Sequence, residues 1–108
     1  MTITVGHRRT RVEAIQLVDR GAEGLFAGVA GPSVEIVDQR REWVESTMQF
    51  SFSGKMGFIV VPLAGVINVD DENIVVECEL PSLVKNFIGD SKVSSSIEKK
   101  IRLLVDQP

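Results

Sequence analysis

The stretch that decides the fold is "STMQFSFSGKMGFIVVPLAGVINVDDENIVVECEL", Ser46 to Leu80. Met48, Phe50 and Phe52 alternate strictly with Gln49 and Ser51. Strict alternation gives a strand one buried face and one wet face, the antiparallel pattern. "GFIVVPLAGVINV" is apolar on both faces, and Pro62 within it predicts a bulge or two shorter strands, because proline cannot donate to a ladder. "DDEN" reads as a turn, and "IVVECEL" then sets Ile74, Val76, Cys78 and Leu80 on one side against Glu77 and Glu79.

Working outward, "TITV" (Thr2 to Val5) alternates as a short first strand. Thr10 stands three residues before Glu13, the spacing of a capping box in which the hydroxyl takes a first-turn N–H and the carboxylate reaches back to the cap's own N–H. Val12, Ile15, Val18, Ala22, Leu25, Phe26 and Val29 then recur as an apolar helical stripe. Gly31 and Pro32 predict that this helix ends before them. "SVEIVDQ" reads as a strand and "QRREWVE" as a charged turn carrying Trp43. A last helix is expected to open near Asp90 or Ser91, with Val93, Ile97, Ile101, Leu104 and Val105 as its stripe and Lys99, Lys100 and Arg102 toward its C-terminus. The expected architecture is one α+β domain over residues 1–108: strand, helix, antiparallel strands, helix, with one curved sheet of about five strands covered by two helices.

Composition narrows the function classes. The chain has 108 residues, is 44% hydrophobic and 25% charged, and carries a net charge of −3. That length fits one domain. The negative balance argues against a nucleic-acid partner. A single cysteine forms no internal disulfide and points to a reducing, cytoplasmic setting. The opening "MTITVGHRRTR" has no apolar run with a cleavage site, and the 13-residue run "GFIVVPLAGVINV" falls short of a membrane span, which takes about 20 residues.

The chemistry-bearing residues are few. One His and one Cys, far apart, do not make a zinc site, and the acidic turn Asp70, Asp71, Glu72 lacks the ligand pattern of a calcium loop. His7 is a general-base candidate by residue type, but no nucleophile signature accompanies it, and a histidine hydrogen-bonding backbone at a strand-to-helix junction is the preferred reading. Cys78 belongs to the apolar side of its strand, as a buried thiol would. The glycines at 21, 24, 28 and 31 match no phosphate loop, and the Gly24-to-Gly28 spacing suggests close helix packing instead. Trp43 reads either as a surface anchor or, preferably, as cover for a sheet edge. No catalytic, cofactor-binding or metal-binding residue is therefore assigned. The apolar density of "LPSLVKNFI" marks Leu83, Val84, Lys85 and Phe87 as a candidate contact patch, while closure of the core beneath the last helix by Leu80, Leu83, Phe87 and Ile88 is the preferred reading of those side chains.

His7 after the first strand, Gly65 before "INVDDENIVV", and "LPSLV" (Leu80 to Val84) leading to a basic terminal helix together resemble the polyhydroxyalkanoic acid system protein family, along nearly the whole chain. The chain departs from the family in a longer segment from Gly54 to Ala64 and in the basic turn after His7. The resemblance implies a bacterial, cytoplasmic, granule-associated accessory without catalytic residues, acting at a polyhydroxyalkanoate granule surface or on a granule-associated protein. A homo-oligomer is compatible with it. The alternative from the residues is a small hydrophobic-ligand binder with a cleft between the sheet and the C-terminal helix.

Overall fold

The computed structural model describes residues 1–30, 34–79 and 90–106. Its elements run β1 (Thr2–Gly6), α1 (Arg11–Ala30), β2 (Glu35–Val44), β3 (Thr47–Met56), β4 (Ile59–Val69), β5 (Asn73–Cys78) and α2 (Asp90–Val105). The strands form a single antiparallel sheet in the order β1-β5-β4-β3-β2, so the first strand closes beside the last. This is the expected α+β arrangement. Both helices pack on one face, with α1 and α2 against each other, α2 on β1, and α1 on β2 and β4.

The core follows from the two periodicities. Ile3 and Val5, Met48, Phe50 and Phe52, Val61, Leu63, Ile67 and Val69, and Ile74, Val76 and Cys78 all point inward from alternate strand positions and are buried. From α1, Ala14, Val18, Ala22, Leu25 and Phe26 meet them, and from α2, Ile97, Ile101 and Val105. Val12 departs from the expected stripe: it is 65% exposed, while Ala14, two residues on, is fully buried. The buried face of α1 is rotated so that small residues approach the sheet.

Helix contact depends on Gly21. A Cβ there would lie 2.5 Å from a terminal carbon of Leu104, whereas a Cβ on Gly24 would meet nothing within 4 Å. Among the described glycines of α1 the close-packing one is therefore Gly21, which faces α2, and Gly24 is not one, while the surroundings of Gly28 lie outside the description.

Two strands differ from expectation. β2 does not stop near Asp38; it runs on through Arg40, Arg41, Glu42 and Trp43, and the turn is only Glu45 and Ser46. The register shifts between Val37 and Arg40, and Asp38 takes a φ of 55° there. Such a bulge twists a strand and leaves residues unpaired, and β2 is a sheet edge, where charged side chains are common. Periodicity fails in β2 because the bulge breaks its alternation. Trp43 is half-buried, packs against the core and donates from Nε1 to Asp19 Oδ1 at 3.0 Å. Arg41 Nε meets the same oxygen at 3.1 Å, so one carboxylate of α1 holds the edge strand twice.

β4 is the second departure. It is continuous from Ile59 to Val69, in unbroken register with β3, and Pro62 simply faces Ser53. The hairpin geometry explains the tolerance. Met56 and Ile59 close a two-residue turn, so hydrogen-bonded and non-hydrogen-bonded pairs alternate from there. Pro62 then falls at a non-hydrogen-bonded pair with its nitrogen turned from β3. On that other side β5 pairs only from Gly65 onward, so among the described residues Pro62 forfeits no ladder bond.

Gly65 is the tightest of the strand glycines. A Cβ there would come 2.5 Å from the Glu77 carbonyl and 2.7 Å from Phe50 Cζ. Gly65→Ala should therefore destabilise the fold by about 1–3 kcal/mol, the usual cost of overpacking. Gly24→Ala, in open space on α1, should instead stabilise by up to ~1 kcal/mol through helix propensity. Urea denaturation of both variants checks the pair of signs.

Candidate functional site

The junction of β1 and α1 gathers most of the candidate chemistry. His7 Nε2 donates to the Asp70 carbonyl at 2.8 Å, and His7 Nδ1 accepts the Arg9 backbone N–H at 3.2 Å. The ring proton therefore sits on Nε2. The His7 backbone N–H also donates to the Glu72 carbonyl at 2.8 Å. Both ring nitrogens are engaged by backbone, so His7 ties the acidic turn to the start of α1, as the preferred reading of its sequence held.

The neighbours continue this structural role. Thr10 caps α1: its hydroxyl accepts the Glu13 N–H at 3.2 Å and donates to Glu13 Oε1 at 3.0 Å. The Glu13 carboxylate thus meets the cap's hydroxyl in place of its backbone N–H, and its other oxygen lies 3.9 Å from Arg9. Arg9 Nε donates to the Val105 carbonyl at 2.9 Å, satisfying a carbonyl at the C-terminal end of α2. Arg11 reaches Asp71 at 3.5 Å. The basic cluster after β1 is in this way partly spent on joining α1, α2 and the acidic turn.

Asp70 shapes that turn. One carboxylate oxygen accepts the backbone N–H groups of Glu72, at 2.8 Å, and of Asn73, while the Asp70 N–H donates to the Asn73 carbonyl. Those two N–H donors, with the nearby charge of Arg11 adding less, hold the Asp70 carboxyl below its ordinary value of 3.8. Among the described residues no group of three His, Cys, Asp or Glu side chains is placed to hold a metal ion.

Cys78 is buried and unpaired in any disulfide, and desolvation pushes its thiol up from the ordinary value. The thiolate needed for nucleophilic chemistry is disfavoured there. The patch Leu83, Val84, Lys85 and Phe87 lies outside the described residues, as does Leu80. The sheet-facing positions of α2, Ile97, Ile101 and Val105, are packed into the core. A shallow open concavity of about 620 Å³ lies instead on the opposite face of the sheet, where Arg40, Glu42, Gln49, Ser51, Ala64 and Val66 line it.

The apolar surface that sequence reading did not single out is the β3–β4 turn. Gly57 takes a φ of 60° at the first position of this two-residue turn, a conformation that glycine adopts without strain. Phe58 beside it is fully exposed, Ile59 is 50% exposed and Val60 54% exposed. The signal was present: no charged residue occurs from Met56 to Val69. It was hidden because Pro62 suggested an interrupted strand, which left no turn placed at Gly57.

No family model matches this chain, and no curated protein or solved structure matches it either. No described helix is long and apolar enough to cross a membrane.

The acidic turn makes a testable claim about pH. Because the folded-state carboxyl of Asp70 titrates below its unfolded value, its contribution to stability is complete above that unfolded value and is lost as pH falls through the folded one. Asp70→Ala should lower the melting temperature at neutral pH. The gap from the parent protein should shrink as the buffer is taken below the ordinary value of 3.8. Cys78 should react with a thiol reagent slowly in the native protein and rapidly once urea unfolds it.

Proposed function

We propose that the protein is a non-catalytic accessory that acts by contact at the surface of polyhydroxyalkanoate storage granules, or on a partner protein there. The observation that supports contact is the exposed apolar turn Phe58, Ile59 and Val60. Large apolar groups gathered at one end of a molecule commonly mark an interaction site. The choice of polyester granules rests on the resemblance of His7, Gly65 and "LPSLV" to the granule-region family. A non-catalytic role fits the use made of the two reactive side chains: His7 has both ring nitrogens on backbone, and Cys78 is buried.

The test uses tagged protein in bacteria that make polyester. Granules isolated from such cells should carry the parent protein. Phe58→Ser with Ile59→Ser should reduce recovery several-fold while the melting temperature changes little, as surface substitutions usually allow. Leu83→Ser with Phe87→Ser enters the same assay as a separate variant for the patch marked in the sequence. Parent protein that stays off the granules, or a turn variant recovered as well as the parent, would count against the reading.

A further inference from the structure

We infer that the free edge of β2 is a self-pairing strand. A second copy of this chain joins it antiparallel, about a two-fold axis at Arg41, and the sheet runs on across both copies. Four observations carry this: the open backbone of the edge, the charge pattern on its outer face, the absence of partners for those charges within the chain, and the clamp that holds the strand.

Among the described residues β2 has a neighbouring strand on one side only. Val44 and Thr47 close a two-residue turn, so the hydrogen-bonded pairs with β3 fall at Val44, Glu42 and Arg40. The backbone N–H and C=O groups of Arg41 and Trp43 therefore point away from β3, into the open edge. Such a row of unpaired groups is a template for another strand.

Charge on an edge strand ordinarily deters pairing. On β2 it deters the neighbouring registers and favours one. Arg40 and Glu42 lie two residues apart, so they share the outer face of the sheet, and both are exposed. With the axis at Arg41, Arg40 of each copy stands opposite Glu42 of the other, in two pairs of opposite sign. With the axis at Arg40 or at Glu42, like charges meet at the axis itself. Opposite charges placed directly across a strand pair stabilise it, and like charges weaken it. The pairs that flank the hydrogen-bonded one at Arg41 are also those in which side chains approach most closely. Among the described residues neither Arg40 nor Glu42 has an ion pair or a side-chain hydrogen bond within its own chain.

The clamp is Asp19 of α1, which takes Trp43 Nε1 at 3.0 Å and Arg41 Nε at 3.1 Å. It fixes the two residues whose backbone is open, so the edge is presented as a strand and little order is lost on pairing. It also compensates the Arg41 charge on the helix face, where the two copies of Arg41 meet at the axis. The bulge at Asp38 ends the regular part of the strand, so the shared ladder is short and centred on Arg40, Arg41 and Glu42. An interface of that size gives a weak dimer that forms as concentration rises.

The test is sedimentation equilibrium of the full chain over a concentration series, with Arg40→Glu and Glu42→Arg as the two probes. The parent protein should pass from monomer toward dimer below about 1 mM, the weak end of specific affinity. Arg40→Glu sets acid against acid in both cross-axis pairs, and Glu42→Arg sets base against base. Each alone should weaken the dimer about tenfold, since two pairs are reversed in sign. An equimolar mixture of the two variants should dimerise again, because each chain then meets opposite charge at both positions. Circular dichroism checks that each variant keeps the native fold, as exposed positions allow. In the parent protein, amide hydrogen exchange at Arg41 and Trp43 should slow as concentration rises, while that of Glu42, already bonded to β3, should not change. A parent protein that stays monomeric up to about 1 mM would overturn the inference. A dimer that neither reversal weakens would also overturn it, by placing the contact on another surface. Folded variants whose mixture dimerises no better than each alone would overturn it as well.

Discussion

The seating of Phe26 between Phe50 and Phe52 is the contact on which the rest of the structure depends. The Phe26 ring centroid lies 5.1 Å from that of Phe50 and 4.9 Å from that of Phe52, while the two strand rings are 6.3 Å apart. Offset and tilted aromatic pairs at such distances add about 0.5–1.5 kcal/mol each beyond the area they bury. The position of Phe26 sets the rotation of α1, which brings Ala14 and Ala22 down onto the sheet and turns Val12 to solvent. The same rotation faces Gly21 to Leu104 and presents Asp19 to Trp43 and Arg41 on the edge strand. On the sheet side, Phe50 needs the bare backbone of Gly65 opposite it, and Gly65 pairs with Cys78 of β5. One aromatic group therefore couples α1, β3, β4 and the neighbouring strand.

The asymmetry of the hairpin follows from unequal strand lengths. β3 and β4 are ten and eleven residues long, but β5 pairs with β4 only over Gly65 to Val69. The part of the β3–β4 hairpin nearest its turn has support from Val34, Ile36 and β2 on one side and none from β5 on the other. Along the inward-facing positions of β4, Val69, Ile67, Leu63 and Val61 are buried and Ile59, next to the turn's exposed Phe58, is not, while Val60 is exposed on the outward face. Three apolar residues thus stand in water at the end of an otherwise well-packed strand. In a sheet whose other described turns are acidic, that exposed end is the observation on which the proposed contact reading rests.

Much of this fold was legible in the sequence, and the exceptions have physical causes. The alternation of Met48, Phe50 and Phe52 and the spacing of Ile97 and Ile101 each report a burial that the structure contains, because one face of each element meets the core. His7 and Cys78 were also legible: position at a junction and parity in a strand sufficed. The second half of β2, from Arg40 to Val44, was read as a turn because a bulge at Asp38 disrupts parity and an edge strand bears charge. β4 was read as broken because the tolerance of Pro62 depends on which neighbour lacks a strand beside it, a fact of topology that no local window contains. That error concealed the Gly57 turn, and with it the exposed Phe58. The helix glycines were misjudged for a related reason, since spacing alone does not say which one faces α2.

The central claim is that the hairpin carries a locked inner face and an open apolar end. Solvent paramagnetic relaxation with a soluble gadolinium chelate, read on the side-chain NMR signals of the native protein, measures this directly. The account predicts strong relaxation of Phe58, Ile59 and Val60 and nearly none of Phe26, Phe52 and Ile67. Protection of Phe58 equal to that of Phe52 would show the turn to be covered within the protein itself, and would contradict the account.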